Sequence, residues 1–500
     1  MRKMETDVLQ DKIAEIDSPE SVGIKSEHIV NFLKRLREID YDIHSLQIVK
    51  NKKIVFQGAA SPYTLKDPHR LLSAAKPIIL SAVLIAIQQG YFDFETKIYP
   101  FFKEEIPEIH DGRAEDITVY DLLTMQTGQN SDDAFLYFLN HPDVDLVKCF
   151  FREGFDCQPG TSFFYNNAVP HLLFTLVERA SHIKIQDFLD QFLAKPLNIN
   201  IEMQDDQAGV CNPVTTVLSS NGFLKFGMLF LQGGTLGETH IIDEELVKES
   251  CRQQVWTGNS ESGYRNSKGY CMQLWKNAFD GVRMDGGGGQ VALILPEQNM
   301  LAVFMGNDGR ADLAIQIFYE EIYSKIHGKP YEINPNSEKM LSEAVAGMSR
   351  APLECKSDSP IEKEIYGKEY HFAENSIGLI AASFCFTSNE CTAKIHQKGM
   401  ELDYQIGKKG EWRESKTPFI LEPDLTIQNI IYGQDPNLCN LSGGWKDDTH
   451  FVIICKSKAS MGEYRFELVW EKDEIIFCIP KGISAGMKQD AGMMRLKGYV

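Results

Sequence analysis

Residues 69–80 read "HRLLSAAKPIIL". Ser73 and Lys76 stand three apart, so on a helix their side chains share one face about a turn apart. Pro77 fixes where that helix begins, because proline is comfortable only in the first turn or so. Ser73 is thereby placed at the helix amino terminus, where the macrodipole favours negative charge developing on oxygen. Serine is a weak nucleophile until a base removes its proton, and a lysine forced neutral by burial can be that base. Nearly everything that follows, "PIILSAVLIAIQQGYF" (77–92), is apolar, which suits a buried core helix and leaves Lys76 poorly placed for water. The bland alternative is a helix cap followed by a solvent-facing lysine. The spacing also recurs as Ser181-His182-Ile183-Lys184, but there a polar turn between two amphipathic segments explains it.

On either side of this stretch the pattern is mixed. The apolar spacing of "KSEHIVNFLKRLREI" (25–39) is helical, and "HSLQIVKNKKIVFQG" (44–58) gives two apolar runs about a turn. Helical segments continue to about residue 250. Then "GYCMQLWKN", "GVRMDG", "QVALILPEQ" and "MLAVFMGN" read as successive antiparallel strands, and "RADLAIQIFYEEIYSKIHG" (310–328) as a closing helix. This order predicts an α+β fold built on an antiparallel sheet. Beyond "GKPYEINPNS" the chain turns strand-like, with period-two alternation in "EYRFELVWE" (463–471). We expect residues 1–335 to form one domain, 336–350 a linker, and 351–500 a separate all-β domain, barrel or sandwich.

Two further stretches carry chemistry. In "QPGTSFFYNN" (158–167), Tyr165 can relay a proton beside a lysine cation, and Asn167 has both an acceptor and donors to orient a lysine and a substrate amide. The alternative is an aromatic core residue beside an asparagine helix cap. Tyr-x-Asn occurs again as Tyr264-Arg265-Asn266, in a polar stretch that reads as loop. The second stretch, "VRMDGGGGQ" (282–290), has four glycines in a row, which weaken a strand unless something must approach its backbone closely. It ends in Gln290-Val291 and so lacks the Gly-Lys-Ser/Thr of a phosphate loop. No G-x-S-x-G elbow or H-E-x-x-H is present.

Composition removes other classes. With 70 acidic and 51 basic residues the net charge is -19, which a nucleic-acid backbone would repel. The amino terminus shows no apolar leader, and no apolar run is long enough to span a bilayer. Eleven scattered cysteines have no metal-ligand spacing, so we expect reduced thiols, a cytoplasmic protein, no metal and no cofactor. The sequence sets neither the oligomeric state nor the natural substrate.

The order Ser-x-x-Lys, Tyr-x-Asn, Gly-rich strand resembles the serine β-lactamase and penicillin-binding-protein superfamily. More narrowly it resembles the class C β-lactamase-related serine hydrolases, which include esterases, D-amino-acid peptidases and 6-aminohexanoate-oligomer hydrolases. Also similar are "SPESVGIKSEHIVNFLKRL" (18–36), "VYDLLTMQTG" (119–128), "NGFLKFGMLFLQGG" (221–234) and "GYCMQLW" (269–275). The resemblance implies a five-stranded antiparallel sheet flanked by helices, with a helical subdomain and the site between them. It implies Ser73 as acylated nucleophile, Lys76 and Tyr165 as general base and acid, and Asn167 as substrate holder. Asp285, Gly286, Gly287 and Gln290 would line the substrate site, with the N–H groups of Ser73 and Gly287 as the oxyanion hole. One position departs from the pattern. Where lactamases and peptidases carry a cation on this strand, this chain has Met284, followed by Asp285, with Arg283 expected on the opposite face. That implies an ester or amide hydrolase with little β-lactamase activity. A penicillin-recognising peptidase or lactamase, an acyltransferase on the same residues, and a catalytically silent binding protein are the alternatives.

Overall fold

The computed structural model describes residues 14–106, 112–141, 143–205, 211–257, 269–349, 355–415, 439–457, 463–480 and 493–500. Five antiparallel strands form the central sheet, in the order Lys53–Ala59, Ile43–Lys50, Met300–Gly306, Gln290–Leu295 and Val282–Gly286. Two-residue strands extend both edges, Glu15–Ile16 and Trp275–Lys276. The amino-terminal hairpin thus pairs directly with a strand some 250 residues later, with Ile48 opposite Ala302.

Both faces of this sheet are covered, which is why its central strands read as unbroken apolar runs rather than alternating ones. Alternation survives in where each residue packs. Val291, Leu293 and Leu295, with Met300, Ala302 and Phe304, face helices Ser26–Glu38 and Ala311–Glu321. Ala292, Ile294, Leu301, Val303 and Met305 face the larger cluster that holds Lys76–Gln88 and the helical region. Helix Lys76–Gln88 is buried from Lys76 through Ala86, as a helix apolar on every side must be. Within 336–350 a helix, Ser337–Met348, packs on Ser26–Glu38 and buries Met348 in the same cluster.

The carboxy-terminal part is a separate domain with its own apolar core. Its strands form one sheet that closes on itself through the pairing of Gly407 with Ser442. Nine strands make the circle, and Arg413–Ser415 pairs beside it. An odd number of strands alternating in direction can close only through one parallel pair, and Gly407–Ser442 is that pair. Phe466, Leu468 and Trp470 fill its interior with Trp445, while Tyr464 packs partly against it. Just past the end of strand Met400–Gly407, the buried Lys408 ammonium donates to Glu362 at 2.8 Å and Asp358 at 3.1 Å, and the Trp445 indole donates to Glu362 at 2.6 Å. The barrel touches the first domain through Lys456, whose ammonium lies 3.9 Å from Asp42 and 5.7 Å from the Tyr63 ring centroid.

None of the eleven cysteines is joined in a disulfide. Among the described residues no helix is long and apolar enough to cross a membrane, and no group of side chains could hold a metal ion.

Buried histidines give the fold a pH dependence. Burial pushes His171 down to about 4 and His69 down to about 3, and lowers His44, which shares a 2.9 Å ring-nitrogen contact with His69. A depressed histidine stays neutral when folded and binds a proton when unfolded. Stability is therefore complete above the unfolded value near 6.5 and falls as the pH drops toward the folded values. For His171 the loss by pH 5 is roughly 2 kcal/mol. Urea midpoints should fall between pH 7 and pH 5, and His171→Phe should show a smaller fall. An equal fall in that variant would remove His171 as a source.

Candidate active site

Leu72–Ala75 form a single tight helical turn that runs into Lys76–Gln88, with Pro77 in the first turn. Leu72 has φ 48°, a left-handed conformation that is costly for a residue with a branched side chain, and it stands immediately before Ser73. Ser73 is half-buried and Lys76 is 6% exposed. Lys76 Nζ donates to Ser73 Oγ at 3.0 Å and to Asn167 Oδ1 at 3.1 Å. The two residues that the spacing placed on one face do meet there. The other Ser-x-x-Lys copy is a surface turn, in which His182 is left-handed and the exposed Lys184 pairs with Glu178.

Tyr165 and Asn167 arrive on an extended stretch before helix Val169–Ser181. That stretch is tied down by its own backbone, with Gly160 N–H donating to Gln126 O and Phe164 N–H to Met125 O. Lys76 meets Tyr165 over the ring, at 4.6 Å from its centroid, rather than through the hydroxyl. The tyrosine ring also stacks on Trp275 at 5.6 Å, and Tyr270 packs against it edge-on. Such a ring favours a cation over its face. The second Tyr-x-Asn, Tyr264-Arg265-Asn266, lies outside the described residues.

The glycine run divides into three jobs. At Gly286 a Cβ would lie 2.1 Å from Leu71 O and 2.9 Å from Ala74 N, so strand and nucleophile turn approach backbone to backbone. Gly287 is exposed in the cavity, and a Cβ there would meet Leu72 Cδ1 at 3.0 Å. Gly288 and Gly289 turn the chain back with φ of 71° and 87°. The N–H of Ser73 belongs to a first helical turn, where such groups have no acceptor within the helix.

Not every residue assigned to substrate binding reaches the cavity. Strand alternation sends Met284 into the core beneath the nucleophile helix and sends Arg283 and Asp285 to the other face. There Arg283 Nε donates to Asp285 at 3.1 Å, and Nη1 to Asn277 at 3.2 Å. Asp285 is thus held in a buried ion pair instead of at the substrate. Gln290 is also buried, and its amide donates to Gly306 O at 2.8 Å and Gly287 O at 3.3 Å, bracing the glycine turn from behind.

A cavity of about 170 Å³ opens over Ser73. Its polar lining is Ser73, Lys76 and Asn167, and the rest of the wall is apolar, including Leu72, Ile79, Phe135, Pro170 and Val214. Lys76 is the one cation among the described residues that line it. Asp132 was not visible as a site residue in the sequence. It accepts from the Asn167 backbone N–H and from Asn167 Nδ2, each at 2.7 Å. In "SDDAF" it reads as an ordinary helix cap, so its type and place gave no distinguishing signal.

The sequence model of a family described as Beta-lactamase matches residues 44–317, which is more than half of the chain. No curated protein sequence matches the chain. Among solved structures, an octameric penicillin-binding protein homologue from Pyrococcus abyssi is 14% identical, with TM-score 0.48, over 94% of this chain and 99% of that one. A D-stereospecific amidohydrolase from Streptomyces sp. is 17% identical, with TM-score 0.46, over 59% and 98%. Simvastatin synthase from Aspergillus terreus is 13% identical, with TM-score 0.45, over 60% and 97%. At these values the family assignment rests on the sequence model and on the fold described above.

The two cavity-side glycines should respond differently to a methyl group. Gly286→Ala forces backbone apart and should cost more than about 2 kcal/mol of stability. Gly287→Ala meets only the end of Leu72 and should leave the thermal midpoint within a few degrees while disturbing the cavity. Thermal unfolding of both variants checks this, and equal losses would contradict the assignment of the close contact to Gly286.

Proposed function

That the chain belongs to the β-lactamase family is the premise from which we propose that it is a serine hydrolase, cleaving an uncharged ester or amide through an acyl-enzyme on Ser73. The observation that carries this reading is the 3.0 Å contact between Lys76 Nζ and Ser73 Oγ at the floor of an apolar cavity. With the amine neutral, the same line is the path along which the serine proton leaves. Ser73 Oγ then attacks the substrate carbonyl carbon, and the carbonyl π electrons move to oxygen. That oxyanion would sit between the N–H groups of Ser73 and Gly287, donors worth roughly 3–4 kcal/mol each in such sites. Collapse expels the alcohol or amine, which takes the serine proton back from Lys76, directly or through the Tyr165 hydroxyl, which gives up its own proton and takes the one Lys76 holds, so that the amine is neutral again. Water repeats the sequence on the acyl-enzyme and frees the acid.

Substrate class follows from the walls. The lining offers apolar contact to an acyl group and no cation apart from Lys76, and the strand position that could supply one is the buried Met284. Anionic substrates would enter without a partner for their carboxylate, which costs free energy in an apolar site. Short apolar acyl groups meet no such penalty.

A fluorophosphonate should label Ser73 in the folded chain, and Ser73→Ala should abolish labelling. p-Nitrophenyl butyrate should release a burst of p-nitrophenol, while nitrocefin should turn over at least about 100-fold more slowly, a factor worth about 2.7 kcal/mol. Nitrocefin hydrolysis as fast as the ester would overturn the substrate class, and absence of labelling would overturn the hydrolase reading.

A further inference from the structure

Asp132 stands at the N-cap of helix Asp133–Asn140, and aspartate is among the best residues for that position. Its side chain nevertheless makes no capping bond. Both carboxylate oxygens are turned away from their own helix. Oδ1 accepts from the Asn167 backbone N–H and Oδ2 from Asn167 Nδ2, each at 2.7 Å. The opposite end of that amide, Oδ1, accepts from Lys76 Nζ at 3.1 Å, and the same Nζ donates to Ser73 Oγ at 3.0 Å. Carboxylate, amide, ammonium and hydroxyl stand in one line.

An amide has two ends of opposite character. Flipped about its last torsion, Asn167 would turn its NH₂ toward the lysine and its oxygen toward the carboxylate, and both contacts would repel. Charge-assisted bonds to Asp132 make the productive orientation the strongly favoured one. The neighbouring Asn166 is committed elsewhere, donating to Gln129 Oε1 at 3.0 Å and accepting from Ala168 N–H at 2.9 Å. The bond to Gln129, with a second from Asn166 Nδ2 to Ser131 O at 3.3 Å, holds the 129–132 segment against 166–168, so the carboxylate meets the amide already placed.

We propose that Asp132 is a positioning residue, which locks the Asn167 amide with its oxygen on Lys76 and so holds the lysine against Ser73. This deepens the serine-hydrolase reading and rests on it. Asp132 touches none of the reacting atoms and acts through Asn167. Its carboxylate faces the Lys76 side chain across the amide, close enough for the lysine charge to act on it. The other groups facing this line are the Tyr165 ring, over which the ammonium lies, and the carboxylates of Asp133 and Glu153, whose fields reach Asp132. All three stay in place when Asp132 alone is changed.

The test is the rate of fluorophosphonate labelling of Ser73 in the full chain, followed against pH, in wild type, Asp132→Asn, Asn167→Ala and the double variant. Asp132→Asn should slow labelling about 10- to 100-fold, the scale of a misplaced catalytic group. Its acidic limb should move, because a negative charge has been removed from the line that ends at Ser73. In the Asn167→Ala background the same change should cost less than about 3-fold, since a residue acting through Asn167 has nothing left to act through. Equal slowing in both backgrounds, or a slowed rate with the acidic limb unmoved, would make Asp132 merely structural and overturn the inference. So would a wild-type rate and profile in Asp132→Asn. If Asp132→Asn does not fold, Asp132→Glu carries the same cycle, with a displaced carboxylate expected to slow the native background alone. Wild-type protein that fails to label overturns the hydrolase reading and this inference with it, whereas labelled wild type with an unaffected Asp132→Asn overturns the inference alone.

Discussion

Two lengths of backbone, Gly286 at the end of strand Val282–Gly286 and Leu71–Ala74 on the nucleophile turn, lie closer together than any side chain would allow. The geometry at Ser73 depends on that contact. It fixes the height of the Ser73 turn against the sheet and leaves the next residue, Gly287, exposed in the cavity. Leu72 takes its left-handed conformation within the same contact, and its side chain ends against Gly287. Strain at that residue is sustained because the strand, the turn and the buried helix behind them leave it no alternative. Gln290, once expected at the substrate, serves the same constraint by bonding the carbonyls of Gly287 and Gly306.

The polar side chains of the site are few, and each has its orientation set by another. Lys76 is buried at the head of a helix that is apolar around its whole circumference, so it can approach no water except through the cavity. Its contacts are Ser73, Asn167 and the face of Tyr165, and these come from two separate segments of chain. Only the complete fold of the first domain brings them together. Tyr165 is in turn fixed by Trp275, which belongs to the edge strand beside Val282–Gly286. An aromatic pair therefore couples the tyrosine to the same sheet edge that carries the glycines.

Much of this was legible in the sequence, and the reasons are physical. The pair Ser73/Lys76 could be placed because Pro77 fixes the start of the helix and because an apolar run isolates the lysine. The antiparallel sheet was legible from apolar runs separated by turns, and the barrel interior from the alternation at Phe466, Leu468 and Trp470. Period two also predicted that Arg283 would point away from Met284. The same rule, applied one residue further, puts Asp285 beside Arg283, yet resemblance to a motif had drawn it to the substrate. Asp132 was illegible for a different cause. A residue that could cap its own helix looks the same in sequence whether it does so or reaches across to another segment. The barrel's closing pair was equally hidden, since a parallel seam between Gly407 and Ser442 leaves no local pattern.

Met284 also limits which sequences lie within reach of this one. It is 1% exposed and packed in the apolar cluster under the nucleophile helix. Replacing it with lysine, the simplest route to the cation that related motifs carry on this strand, would place an ammonium in an apolar cluster. Burying an unpaired charge costs several kcal/mol, much of what holds a domain of this size together. The chain would first need a second change to open or pair the site, and neither is useful alone. In evolutionary terms the packing of one thioether acts as a ratchet: it sets a valley of unstable intermediates between this chain and a cation at that strand position.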